Sequence, residues 1–292
     1  MATAREALGG EKRLSGVKSF VATGRTRQVR GENLVPIEFE ISTELPDKYV
    51  RKDEIPAQES GPTSTGFNGD ELIQDPPQQP PNLPPGGARL GAPPPPAGGR
   101  DGGSPPPTVP PAGGRQGEPP AGGREGGPPP NAAAPGGRVG GRASGPPMSP
   151  AEQQAMARRT RTATVKQDFV RLTLGMFASS FSSYPLTFTY AGMAEAPQGK
   201  ADVLDVKGPA SFALKLFINS QTHLPIMVSW QVQAQDRVVE HRVYYADYRD
   251  VDGIQFPFQL RRSVAGVTIE ETVFDRFRIN AKIDPRKFEV RK

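Results

Sequence analysis

From Val35 to Leu45 the chain alternates. Val35, Ile37, Phe39 and Ile41 fall on one side of an extended backbone, and Glu38, Glu40 and Ser42 fall on the other. Period two is the pattern of an antiparallel strand with one face buried and one in water. The same reasoning predicts strands over 19–31, ending at Gly31, and over 48–55, after a Pro46-Asp47 turn. It predicts a hairpin within 64–75, closed at Asn68-Gly69, a dipeptide that accepts the positive φ of a tight turn. Ahead of these, residues 2–18 predict a short helix broken at Gly9-Gly10.

Beyond residue 149 the period changes. Ser149, Pro150 and Glu152 supply an N-cap, a first-turn proline and an early acid. After a polar first half, Val165, Phe169, Leu172 and Met176 recur at helical spacing, flanked by Val170 and Phe177. This predicts a long amphipathic helix with a broad apolar face. From Leu186 to Ile279 the alternation returns and predicts five or six consecutive strands with turns at Asp252-Gly253 and Ala265-Gly266. In 211–218, Phe212, Leu214, Leu216 and Ile218 share a face; in 225–233, Ile226, Val228, Trp230 and Val232 do. Short turns exclude the crossover helices that parallel pairing requires. The expected fold is mainly β (α+β): a curved antiparallel sheet, or unclosed β-barrel, with the long helix against its concave face.

Between the two flanks neither period holds. Residues 76–150 contain 24 of the 34 prolines and 19 of the 33 glycines, with PAGGR at 96–100, 111–115 and 120–124. A stretch with so few apolar side chains cannot offset the entropy of ordering its backbone. The expectation is a disordered Pro/Gly-rich insert over 76–148 in one discontinuous β domain, 1–75 with 149–292, and a monomeric protein.

Charge changes this picture little. Six arginines and three acids in the insert supply +3 of the net +5. The folded part is therefore near neutral, without the basic face or recognition motif of a nucleic-acid binder, and no nucleic-acid partner is expected. There is no cysteine, so disulfides, thiolate metal sites and cysteine nucleophiles are excluded. No apolar run reaches the roughly 20 residues that span a bilayer, so any membrane association is expected to be peripheral. No signal peptide is visible after Met1. The expected location is the periplasm or cell envelope if a signal was removed or missed, and otherwise the cytoplasm.

Catalytic chemistry finds no foothold. His223 and His241 are the only histidines, and neither has a nucleophile and orienting acid to complete a triad. His241 shares a strand face with Val239 and Val243, as a packed, hydrogen-bonded histidine would. Asp247, Asp250 and Asp252 lack the ligand loop of a calcium site and read instead as a hairpin turn. Glu270 and Glu271 point to opposite faces of a strand. The GGR clusters lack the lysine and strand context of a phosphate loop. No catalytic residue, metal or cofactor is expected.

The C-terminal half carries a more specific signal. Thr222, Leu224 and Pro225 form a T-x-L-P turn before a Trp-bearing strand. The block Asp247, Tyr248, Arg249, Val251, Asp252, Gly253, Ile254, Pro257 follows, and the chain ends on Ile279, Asn280, Ile283, Asp284 and Phe288. These motifs resemble the LolA/LolB-like family of outer-membrane lipoprotein-sorting proteins over about two thirds of the chain. The resemblance implies an unclosed barrel plugged by helices whose apolar cavity holds acyl chains. The implied partner is an apolar ligand, a lipid or a lipoprotein acyl chain. Phe39, Phe169, Leu172, Met176, Phe177, Leu214, Leu216, Val228 and Trp230 would line such a cavity. The alternative is an interaction module with a filled core and the insert as tether or docking arm.

Overall fold

The computed structural model describes residues 1–56, 61–77, 149–196, 199–234 and 237–290. Apart from Pro76 and Pro77, the insert expected over 76–148 lies outside them. Two short helices, α1 (Ala2–Ala7) and α2 (Glu11–Gly16), are separated at Gly9-Gly10, as the glycine pair predicts. Five strands follow: β1 (Ser19–Arg30), β2 (Asn33–Glu44), β3 (Lys48–Glu54), β4 (Thr63–Asn68) and β5 (Glu71–Asp75). After the helix α3 (Pro150–Phe177) come β6 (Thr187–Ala196), β7 (Gly199–Lys207), β8 (Ala213–Asn219), β9 (Pro225–Ala234), β10 (Arg237–Val251), β11 (Ile254–Val264) and β12 (Val267–Ile279). Seven strands therefore stand where alternation predicts five or six. The sheet-edge strand β6 is mostly exposed, so it carries little apolar period.

All twelve strands of the described residues form one antiparallel sheet in the order β5-β4-β3-β2-β1-β12-β11-β10-β9-β8-β7-β6. Its edges, β5 and β6, do not pair with each other, so the expected unclosed barrel is what the chain forms. The two flanks meet at β1 and β12, paired from Phe20 opposite Ile279 to Gln28 opposite Glu270 with one register shift between Thr23 and Gly24. Asn280 clamps this seam: its Oδ1 accepts from the Lys18 backbone N–H at 2.7 Å and its amide donates to the Gly16 carbonyl at 3.1 Å. Asp252 and Gly253 take φ of 54° and 81°, and Ala265 and Gly266 50° and 82°. Two consecutive positive-φ residues match the right-handed twist of the strands they join, so both predicted turns close β-hairpins.

The buried faces of the strands converge on α3. Phe20, Phe39, Ile41, Leu216, Val228, Phe256 and Phe274 belong to one large core with the helix. A smaller cluster of Val21, Val50, Ile73, Ile283 and Phe288 covers the outer face of β1, β3 and β5 with the C-terminal 3-10 turn Pro285–Phe288. At the start of α3, Ser149 and Glu152 form a reciprocal capping box. Residues 151–160 are exposed. Among the described residues no helix is long and apolar enough to cross a membrane.

The far end of α3 departs from a one-faced amphipathic helix. Phe169, Val170, Arg171, Thr173, Leu174, Gly175, Met176 and Phe177 are all buried, whichever way they point. The sheet encloses one side, and the segment after the helix covers the other. Phe181 lies 6.1 Å from the Phe169 ring and 6.2 Å from the Phe177 ring. Two tyrosines of β10 fix the depth of the helix. Tyr245 donates its hydroxyl to the Arg171 carbonyl, and the Tyr248 hydroxyl shares its one proton between the carbonyls of Gly175 and Pro225, each 2.8 Å away. Burial pushes both phenols above their ordinary range. Gly175 permits the approach: a Cβ there would lie 2.4 Å from the Tyr245 ring.

This geometry makes Gly175→Ala a contest between two effects. Alanine favours the helix by roughly 1 kcal/mol over glycine, but overpacking against a tethered ring costs about 1–3 kcal/mol. Chemical denaturation of Gly175→Ala is expected to show a net loss of stability. A raised midpoint would show that the helix lifts freely off Tyr245.

Candidate binding site

Aromatic rings pack closely around the C-terminal end of α3, and a cleft lies beside its middle. Around the helix C-terminus the rings of Phe20, Phe177, Phe256, Phe274 and Phe277 pack in successive contacts of 4.7–6.0 Å. Toward the N-terminal side of these residues, a cleft of about 340 Å³ separates the helix from the sheet. Its lining comes from both flanks of the chain: β1, β2, β3 and β4 on one side, β9, β10, β11 and β12 on the other.

Cross-strand register sorts the lining into rows. One row runs Leu260, Thr272, Thr26 and Ile37 across β11, β12, β1 and β2. The next row, one pleat nearer the β1–β2 and β11–β12 hairpin ends, runs Val243, Arg262, Glu270 and Gln28. The first joins Leu260 and Ile37 through two threonines whose hydroxyls bond each other at 2.9 Å, with Ile41 and Phe274 on the same lining; the second carries the charges of Arg262 and Glu270. Beyond it Trp230 of β9 stands opposite His241 of β10, with the two rings stacked at 5.3 Å.

Of the four arginines on the lining, Arg30 is exposed and the other three reach into this space. Arg51 on β3 donates to Asp53 at 2.7 Å and to the Thr26 hydroxyl at 3.0 Å, with its guanidinium 4.5 Å from the Phe39 ring. Arg171 on α3 donates to Asp168 at 2.8 Å and Gln167 at 3.2 Å, and lies 4.1 Å from the Trp230 ring. Burial, opposed by Asp168, draws Arg171 below the ordinary guanidinium range. Arg262 lies 6.0 Å from the same indole, and among the described residues no carboxylate comes within ion-pair distance of it. The Nε atoms of Arg171 and Arg262 and Nδ1 of His241 are buried without a hydrogen-bond partner. The hydrogen-bonded histidine expected at 241 is thus instead a stacked one: its strand neighbours offer Nδ1 no acceptor or donor.

Of the residues expected to line a cavity, Leu172 and Trp230 do so here. Phe39 lies on the same face, buried against Phe274 with ring centroids 5.4 Å apart. Phe169, Met176 and Phe177 belong to the enclosed end of α3, and Leu214, Leu216 and Val228 are buried in the same core. Apolar periodicity passed over Arg51, Arg171, Arg262, Asp168 and Glu270. The signal was present in the pleat: Arg262 shares a strand face with Phe256, Phe258 and Leu260, where a solvated charge has no place.

No protein-family model matches the chain, and no curated protein matches it significantly. Among solved structures the chain is similar to a LolA superfamily protein from Nitrosomonas europaea, at 11% identity and TM-score 0.49, covering 99% of this chain and 98% of that one. It is similar to a DUF1329 family protein from Desulfovibrio piger, at 8% identity and TM-score 0.44, covering 98% and 94%. It is also similar to an outer membrane lipoprotein-sorting protein domain from Vibrio parahaemolyticus, at 8% identity and TM-score 0.46, covering 98% and 94%. The names LolA and lipoprotein sorting are those that the C-terminal motifs resemble.

His241 gives the cleft a pH signature. Burial first, then Arg262 and Arg171, hold it below the ordinary histidine range, with Asp168 opposing. An unfolded chain protonates a histidine near pH 6.5, and the folded one only at lower pH. Between those values the unfolded state binds more protons, so this contribution is complete above about pH 6.5 and is lost as pH falls below it. In denaturation measured from pH 8 to pH 5, the stability of the wild type relative to His241→Phe is expected to fall. A constant difference would contradict the assignment.

Proposed function

We propose that this chain is a non-enzymatic carrier or binding domain that takes the acyl part of a lipid, or of an acylated protein, into the cleft between α3 and the sheet, in a bacterial envelope. One observation carries the reading: a cleft of about 340 Å³ lies between the middle of α3 and the face of the sheet that packs on it, in contact with Leu172, Trp230, Ile37, Ile41 and Phe274. That volume is at the low end of ligand pockets. Each methylene transferred there from water would contribute about 0.8 kcal/mol, so a short acyl chain or the distal part of a longer one would be held usefully but reversibly. Both histidines support a role without catalysis. His223 sits in a turn with φ of 58°, and His241 stacks on Trp230 with no acid or nucleophile hydrogen-bonded to it.

Trp230 is the only tryptophan and stands on the cleft wall, so its emission reports occupancy directly. Titration with a single-chain fatty acid is expected to give a saturable fluorescence change at one equivalent. Val243→Phe, which places a ring in the cleft, is expected to abolish that change while keeping the circular dichroism spectrum. Absence of any saturable change, together with no lipid retained by the purified chain in native mass spectrometry, would remove the reading.

A further inference from the structure

The cleft is not the greasy slot that an acyl chain alone would need. Four arginines, Arg30, Arg51, Arg171 and Arg262, line it against three acids, Asp53, Asp168 and Glu270. Arg51 is matched by Asp53 and Arg171 by Asp168. Arg262 shares the indole of Trp230 with Arg171 but has no carboxylate at ion-pair distance among the described residues. Two guanidinium groups on one ring repel each other; Asp168 bonds Arg171, whereas Glu270, opposite Arg262 on β12, stands beyond ion-pair distance of it. Among the described residues each also keeps a buried Nε–H with nothing to donate to. The Arg171 side chain is only 10% exposed, so water has little access to it. A buried donor without an acceptor is costly, and charge-assisted bonds to an oxyanion are the strong way to satisfy it. The same lining is amphiphilic by register: the Leu260–Ile37 row is uncharged, its two threonine hydroxyls bonded to each other, and the adjacent row carries Arg262 and Glu270.

We infer that the cleft takes a single-chain amphiphile with an anionic head, a carboxylate or a phosphate, whose oxygens accept from the guanidinium groups of Arg171 and Arg262 while its chain lies along Leu172, Leu260 and Ile37. This rests on the carrier reading and specifies its ligand class. The head meets the one of these two guanidinium groups, Arg262, that has no carboxylate at ion-pair distance among the described residues and offsets the repulsion of two cations on one ring.

The test is calorimetry of the full-length chain with decanoate, decyl phosphate, decanol and inorganic phosphate at neutral pH. The anionic amphiphiles are expected to bind at least about tenfold more tightly than decanol, equivalent to roughly 1.4 kcal/mol. Raised salt is expected to narrow the gap, and inorganic phosphate to bind far more weakly than decyl phosphate. Arg262→Gln is expected to bring the two anions to the affinity of decanol and leave decanol unchanged, with Arg262→Lys retaining part of the preference. Equal affinity of decanoate, decyl phosphate and decanol for the wild type would overturn the inference and leave the carrier reading standing. Inorganic phosphate binding as tightly as decyl phosphate would overturn it in favour of a simple anion site. No binding of any of the four would remove the carrier reading and this inference together.

Discussion

The docking of α3 onto β10 through two tyrosine hydroxyls is the constraint from which the rest of the interior follows. Tyr245 and Tyr248 each satisfy a helix carbonyl inside the core, and Tyr248 ties the same point to the Pro225 carbonyl. A carbonyl that leaves its partner there has no water to turn to, so the helix cannot slide or rotate without an unmet acceptor. Gly175 sets the separation by presenting no side chain to the Tyr245 ring. With the last turns held this deep, Phe169 and Phe177 fill one end of the half-barrel. Arg171 and Leu172, one helical turn back, are left facing the space that remains.

That space exists only because the chain's two flanks share one sheet. β1 pairs with β12, across some 250 residues of sequence, and Asn280 pins the junction. Arg51, Thr26 and Gln28 come from one side of the seam and Trp230, Val243 and Arg262 from the other. The cleft is thus assembled across the junction, and breaking the β1–β12 ladder would remove its walls as well as its floor.

Much of the architecture was legible because it is local. The alternation of Val35 to Ile41, the capping residues at Ser149 and Glu152, and the Asp252-Gly253 turn each encode their geometry within a few residues. The resemblance of the Thr222–Pro225 and Asp247–Pro257 segments pointed to an unclosed barrel. What local pattern could not supply was depth. Nothing in the spacing of Phe169, Leu172 and Met176 shows that every side of the last helical turns is buried, because the partner tyrosines lie some seventy residues later. Nor does apolar period identify the arginines of the cleft. Counting only hydrophobic positions treats Arg262 as an interruption, whereas its place on the Phe256–Leu260 face is what makes it informative.

The central claim is that α3 leaves a real, polar-headed cleft beside a filled core. A crystal structure of the chain grown with decanoate tests it most directly. The account predicts α3 still bound to Tyr245 and Tyr248, the acyl chain between Leu172 and the Ile37–Leu260 row, and the carboxylate against the guanidinium groups of Arg171 and Arg262. A helix collapsed onto β11 and β12 with no space beside Leu172, or decanoate bound away from Trp230, would contradict it.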